Sequence, residues 1–311
     1  DNPDILYYGE VELFYSTDGG QNWNLVNSWQ DYYGDVLNNI HADIMNIQTF
    51  AMSNGTEFTL IPNHGGLNIS YDHLNSTQNI SMEDLNIGQF YDVATSPINA
   101  AVVFGGTQDQ GFQRTSGGIG NNAVAFVQVI SGDYGQQQFT HNGQSIWTQY
   151  PGGQFSFYQN AMTDFNAQFW HDIEGDDMPN YDWIIPTGSA PNPSDDYILV
   201  GGGNVNGGSG SYLIKLRDLM GSPIATQFSF DFKAASGSEI SAIETTPLDE
   251  NQWYVSTANG FFYHSEDAGL SWTQSSPFGG PSAYWIYGAD IYASRITPGL
   301  VFFGGSGYTN S

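Results

Sequence analysis

Ser16-Thr17-Asp18-Gly19-Gly20-Gln21-Asn22-Trp23 follows the strand-like run Leu13-Phe14-Tyr15, and the same grammar returns as Ser265-Glu266-Asp267-Ala268-Gly269-Leu270-Ser271-Trp272 after Phe261-Phe262-Tyr263. Each position in this S-x-D-x-G-x-x-W turn has a mechanical reason. The Ser and Asp side chains can accept backbone N–H groups inside the turn, Gly19 or Gly20 and Gly269 can supply φ > 0, and the Trp can close over the hairpin. Two such matches, each after an aromatic strand, predict β-hairpins that serve as a ruler for the rest of the chain.

Working outward, the recurring unit is an apolar strand, a polar turn, a second strand ending in Gly, a third strand and a fourth. Ile40 to Thr77 gives one, with alternation from Ile44 to Phe50, then Phe58 to Ile61, Asn63-His64-Gly65-Gly66 and Leu67 to Asp72. That last run reads as the same turn without its Gly and Trp. Further units are Phe90 to Thr115, Ala125 to Tyr158, Trp183-Ile184-Ile185-Pro186 with Tyr197 to Gly201 and Tyr212 to Lys215, Ile240 to Thr273, and Tyr284 to Gly305. Self-similarity at roughly 40–50 residues, four strands at a time, predicts an all-β fold, a β-propeller of four-stranded antiparallel blades. About six to eight blades fit, with seven favoured. The Ser-x-Asp turns then join strands 3 and 4. Asn2 to Gly9 reads as a second strand, so residues 1–311 are expected to be a single propeller, an internal piece of a longer exported protein whose end strands complete one blade.

Composition agrees and excludes much. Gly 38, Tyr 19, Phe 20 and Trp 8 favour short strands and turns over helices. Lys+Arg 5 against Asp+Glu 32 gives a net charge of −27, which repels nucleic acid and anionic membranes and leaves cations as plausible partners. Cys 0 excludes disulfides, thiolate metal sites and a cysteine nucleophile. No apolar run is long enough to insert in a membrane. The expected setting is extracellular or at a bacterial cell surface.

Propeller geometry places the loops between strands 2 and 3, and those entering each blade, on the face away from the Ser-x-Asp turns. His41-Ala42-Asp43, Asn63-His64-Gly65-Gly66, Gly106-Thr107-Gln108-Asp109-Gln110-Gly111 and Ser131-Gly132-Asp133 all fall in these classes. His41, Asp43, His64, Gln108, Asp109 and Asp133 are therefore the candidate ligand-binding residues. Asp43, Asp109 and Asp133 are the candidates for acid and base chemistry on a glycoside, which needs two carboxyl groups at a set separation. Asp172, Glu174, Asp176 and Asp177 crowd hard oxygen ligands around Gly175, a composition suited to Ca²⁺ without the spacing of an EF-hand; no other cofactor is implied. Ser16, Asp18, Gly20, Trp23, Ser265, Asp267, Gly269 and Trp272 are assigned to structure.

These turns are the Asp box, and the chain resembles the Asp-box (BNR repeat) propeller superfamily of sialidases, sortilin-type receptors and xyloglucanase-type glycoside hydrolases. It is more closely similar to the sialidase-like and sortilin-like repeat proteins exported by Bacteroidetes-type bacteria. Beyond the turns, the resemblance rests on His41 to Ile44, Asn63 to Gly66, Gln89-Phe90-Tyr91, Gly105 to Gly111, Gly132-Asp133, Trp183 to Pro186 and Ser306-Gly307-Tyr308. It departs at His64, Gln110 and Tyr134, where the family usually has Asp, Asn and Gly. Sialidase chemistry needs an arginine cluster in an Arg-Ile-Pro context, which Arg114, Arg217 and Arg295 do not provide. The resemblance implies a non-catalytic binding or structural module of a larger surface protein, in adhesion or glycan contact. Its partners would be carbohydrate, a surface protein, other domains of the same polypeptide, or copies of itself. The alternative it implies is a polysaccharide hydrolase of the xyloglucanase type.

Overall fold

Strand after strand in a computed structural model of the chain pairs antiparallel with its sequence neighbour; the described residues are 3–82, 88–115, 125–164, 166–167, 169–173, 181–219, 222–275 and 289–305. The chain divides into two units, Asp1–Gly88 and Gln89–Ser311.

The first unit holds a three-stranded sheet of β1 (Leu6–Gly9), β2 (Leu13–Ser16) and β3 (Asn24–Leu25), and a four-stranded meander of β4 (Gln48–Ala51), β5 (Glu57–Asn63), β6 (Gly66–Ser70) and β7 (Gln78–Asn79). Leu13, Ile40, Ile61 and Leu74 are buried together between the sheets, with Tyr7, Tyr15 and Ile44 packed around them. The alternation predicted from Ile44 to Phe50 becomes a strand only from Gln48. Asp43 and Ile44 instead give their N–H groups to Val11 and Glu10 of the turn between β1 and β2.

In the second unit four meanders follow one another. They are β8 (Phe90–Thr95) to β9 (Val103–Thr107), β10 (Gly111–Thr115) and β11 (Phe126–Ile130); β12 (Gln137–Thr140) to β13 (Ser145–Tyr150), β14 (Gln154–Tyr158) and β15 (Phe169–Asp172). Next come β16 (Thr187–Ser189) to β17 (Tyr197–Gly201), β18 (Leu213–Leu219) and β19 (Ser222–Gln227), then β20 (Ile240–Thr245) to β21 (Trp253–Thr257), β22 (Phe262–Ser265) and β23 (Thr273–Gln274). A hairpin of β24 (Ala289–Ala293) and β25 (Val301–Gly305) ends the described part. First strands lie beside first strands: β8 by β12, β12 by β16, β16 by β20, and β20 by β24.

Side-chain alternation explains how the sheets stack. On β17, Ile198 and Val200 join Trp147, Phe155 and Phe157 of the preceding sheet, while Tyr197 and Leu199 join Ile240, Trp253 and Val255 of the following one. Successive side chains of a strand point to opposite faces, so a strand apolar at every position is one covered on both sides. Each such burial contributes roughly 1.5–3 kcal/mol. Two sequence assignments shift. Phe126–Ile130 is the last strand of the sheet begun at Phe90, not the opening of the next. Trp183 to Pro186 is not a strand; the ladder starts at Thr187, after a Pro186 that has no N–H to pair.

The Ser-x-Asp turns share one hydrogen-bond scheme. Ser265 Oγ accepts the N–H groups of Gly269 at 2.9 Å and Asp267 at 3.3 Å and donates to Asp267 Oδ1 at 2.9 Å, while Asp267 Oδ1 accepts the Ser271 N–H at 2.8 Å. Ser16 and Asp18 do the same with Gly20 and Asn22. So do Ser70 and Asp72 with Leu74 and Ser76, although Leu74 stands in the glycine position at φ 68. Ser265 is buried, so Ser265→Ala should strand two N–H groups and cost about 1–3 kcal/mol, read from urea unfolding. An unchanged midpoint would mean that the turn does not depend on this hydroxyl.

Candidate functional site

In the first unit the segment from His41 to Met45 is threaded between two turns. Asp43 N–H donates to Val11 O at 3.0 Å, Ile44 N–H to Glu10 O at 2.7 Å and Met45 N–H to Pro62 O at 3.0 Å, while His64 N–H reaches Ala42 O at 3.2 Å. Asp43 takes φ 63, a conformation that Asp tolerates better than most residues. These bonds bring the Asp43 carboxylate to 3.1 Å from His64 Nδ1, with both side chains partly open to solvent. His41 has a different place. It is buried, with Nε2 at 3.2 Å from the Tyr33 hydroxyl and its ring edge-on to Tyr32 at 4.7 Å. It packs the site from below and does not line it.

Linked to this segment through His41 and Glu12 are two exposed rings that the sequence reading passed over. Trp29 and Tyr33, on a 3-10 turn over Trp29–Gly34, meet edge to face at 6.2 Å. The Trp29 backbone N–H donates to Glu12 Oε1 at 3.3 Å, so the turn of Glu10, Val11 and Glu12 holds the backbones of both Trp29 and Asp43. The signal was present in Trp29-Gln30-Asp31-Tyr32-Tyr33, a dense aromatic run between strands. The patch presents aromatic faces, a carboxylate–imidazole pair and a second carboxylate.

In the second unit Gln108, Asp109 and Asp133 are also brought together. Asp133 Oδ1 accepts the Asp109 N–H at 3.1 Å, and Gln110 bridges Gly132 in parallel. Gln108 N–H donates to Gln89 O at 3.0 Å and Tyr134 N–H to Thr107 O at 3.1 Å. Tyr150 lies close enough that, after burial, the charges on Asp133 and Asp109 help to push its pKa up. The turn between β9 and β10 is thus stapled to the segment entering β12 by one of the carboxylates proposed for chemistry.

Three acids on first strands went unnoticed in the sequence. Asp92 on β8 is pushed up to about 6 by burial, against the opposing Gln137 N–H that donates to it at 3.0 Å, and the charge of Asp290 adds to the rise. Glu244 on β20 is pushed up to about 7 by burial, with Arg295 at 3.2 Å opposing and Asp290 adding. Asp290 on β24 is itself raised by desolvation. Each is a lone acid within a strand, as in Ala289-Asp290-Ile291, where a repeat reading sees only a strand. Apart from these, Asp182 is raised to about 7 by burial and by the charge of Glu239.

Of the residues proposed for Ca²⁺, Glu174, Asp176 and Asp177 lie outside the described residues, and only the backbone of Asp172 is described. Among the described residues no group of three or more His, Asp or Glu side chains is arranged to hold a metal.

No protein-family model matches the chain. No curated protein matches it either. Among solved structures it is similar to YCF48 from Cyanidioschyzon merolae, with 15% identity and a TM-score of 0.47 over 98% of this chain and 90% of that one. It is also similar to the chain in "YCF48 bound to D1 peptide", with 14% identity and a TM-score of 0.46 over 97% and 87%. The GH74 xyloglucanase from Xanthomonas campestris matches with 12% identity and a TM-score of 0.49 over 97% of this chain and 49% of that one. At these identities no residue here inherits a role from them.

Proposed function

We propose that the chain is a β-propeller of the Asp-box type and a non-catalytic binding module of a bacterial surface protein, which contacts glycans through the patch around Trp29, Tyr33, Asp43 and His64. The four-stranded meanders with adjacent first strands, and the Ser-x-Asp turns that each precede the last strand of their sheet, support the propeller reading. One observation carries the binding reading. The exposed Trp29 and Tyr33 rings share a turn that is tied to Glu12 through the Trp29 backbone N–H and to His41 through the Tyr33 hydroxyl, and the segment from His41 carries Asp43 to His64, so apolar rings and a fixed polar pair occur on connected segments, the mixture that a sugar ring requires. Meanwhile Asp133 holds the Asp109 backbone, which is scaffold work. A glycan array followed by titration of the best ligand tests this reading. Trp29→Ala is expected to weaken binding about tenfold, ~1.4 kcal/mol, and Asp43→Asn to weaken it by a similar factor. Undiminished affinity in both variants would remove the patch from the function.

Hydrolysis of a polysaccharide is the second reading, and it has one observation in its favour. Asp92 and Glu244 hold their protons toward neutral pH, the state a general acid requires. It requires reducing-sugar release from β-glucans that disappears in Glu244→Gln or Asp133→Asn; a wild-type chain that releases nothing rules it out.

A further inference from the structure

A groove of about 360 Å³ opens on the first unit beside the Ser70–Ser76 turn, and none of the residues assigned above to a site lines it. Its lining includes Leu37, Asn38, Tyr71, Ser76, Thr77 and Gln78, and its volume falls within the range of small-molecule sites, about 300–1,000 Å³. Tyr71 is 61% exposed. Its ring, one residue past the end of β6, is the outer end of an aromatic row that runs on to Phe58 of β5 at 6.1 Å and Phe50 of β4 a further 5.2 Å on. Rings held in such a row are fixed, so a ligand meets a prepared face.

The polar wall is equally fixed. The Ser76 hydroxyl donates to Asp72 Oδ2 at 2.6 Å, the Thr77 hydroxyl donates to Asn38 O, and the Asn38 amide donates to both oxygens of Asp35 at 3.0 and 2.9 Å. With their hydrogens spent inward, Ser76 Oγ, Thr77 Oγ1 and Asn38 Oδ1 are left as acceptors, while the exposed Gln78 can both give and accept. None of the residues lining the groove is charged, and the nearby Asp35 and Asp72 are occupied in holding Asn38 and Ser76. A ligand that suits this wall brings hydroxyl donors, an apolar face for Tyr71 and Leu37, and no net charge. Anionic sugars are disfavoured by a chain of net charge −27 that offers them no cation here.

We propose that the Tyr71 groove is a second binding site, specific for neutral saccharide units, formed where the Ser70 turn carries Tyr71 to the end of the Phe50–Phe58 ladder. It rests on the binding reading only for the kind of ligand; the surface is a separate one. The test is a titration of the whole chain with cellotetraose, maltotetraose and sialyllactose, followed by saturation-transfer NMR and calorimetry, for wild type, Tyr71→Ala, Tyr71→Phe, Gln78→Ala and Trp29→Ala. At least one neutral tetrasaccharide should bind, sialyllactose should not, Tyr71→Ala should weaken binding at least tenfold with an unchanged melting temperature, and Tyr71→Phe should retain it. Gln78→Ala, on an exposed side chain, should weaken it severalfold and so checks the groove independently of the ring. Neutral-sugar binding that survives both Tyr71→Ala and Gln78→Ala but falls in Trp29→Ala overturns this site and leaves the Trp29 patch standing. Loss in Tyr71→Ala with no change in Trp29→Ala supports the groove as a site separate from the Trp29 patch. Equal binding of sialyllactose, or no binding of any neutral probe, overturns the proposal.

Discussion

Gly111→Ala is expected to lower the unfolding free energy by about 3–5 kcal/mol, well outside the range of ordinary surface substitutions. A Cβ at this position would lie 1.8 Å from Ile130 O and 2.8 Å from Ser131 Cα, both backbone atoms. Those atoms cannot drift aside. Ile130 is paired with Phe112 across the β10–β11 ladder, and Gly132, two residues on, is bridged to Gln110. Gly111 also sits at φ 81, which an L side chain resists even in open space. Gly55→Ala separates the two causes. Gly55 has φ 83 and nothing within 4 Å of an added Cβ, so its substitution should cost only about 1 kcal/mol. Urea denaturation of both variants checks the pair, and equal costs would show that the close approach to Ile130 is not what Gly111 is for.

Raising the pH from 5 to 8 is expected to cost the second unit several kcal/mol of stability. Glu244 holds its proton to about 7 in the folded chain, against 4.5 for the free side chain, and its side chain is 14% exposed. A group whose folded pKa is raised stabilises fully below the unfolded value, and that contribution is lost as pH rises through the folded one. For Glu244 the window is about 4.5 to 7 and the loss about 3 kcal/mol. Asp92, at about 6 against 3.8, and Asp182, at about 7, act in the same direction. The turn carboxylates run the other way. Asp18 is held down at about 2 by the Asn22 backbone and side chain and by Ser16, and Asp267 is lowered by Ser271 and Ser265. Asp72 is lowered too, because its bonds to Ser76 and Ser70 outweigh its desolvation. Their stabilisation disappears as pH falls through those low values, so maximum stability is expected in mildly acid solution. Urea midpoints at pH 5, 6, 7 and 8 check the slope, which Glu244→Gln should flatten by about half. A flat wild-type profile would contradict the assignment of Glu244 as a buried, proton-holding acid.

The repeat was legible because turns write themselves into sequence locally. Ser265, Asp267 and Ser271 lie within one hairpin and satisfy one another, so spacing alone carries the geometry. Sheet boundaries were harder. Phe126–Ile130 reads equally well as a first or a fourth strand, and only its register with Gly111–Thr115 decides. Loop class grouped Asp43, His64, Gln108, Asp109 and Asp133 on one face; that Asp43 pairs with His64, and Asp133 with the Gln108–Gln110 turn, is a finding of the structure that loop class does not specify. What each side chain does there was not legible. His41 looks like a ligand in sequence and is enclosed by Tyr32 and Tyr33, residues that owe their position to a 3-10 turn no periodicity announces. Asp92, Glu244 and Asp290 sit in different sheets, and their mutual influence depends on packing between first strands, which no local pattern records.

β17 sends Ile198 and Val200 to one neighbour and Leu199 to the other, and this separates the unit of repetition from the unit of stability. What recurs along the chain is a sheet, but what excludes water is the interval between two sheets, half of it written in each copy. Duplication or deletion of one sequence repeat therefore never adds or removes a finished core. A viable change in sheet number within this unit requires new partners on both sides to fit at once, whereas a turn is satisfied within itself: in the first unit Leu74 takes the left-handed position that glycine holds in the other Ser-x-Asp turns, and its N–H still reaches Ser70 Oγ.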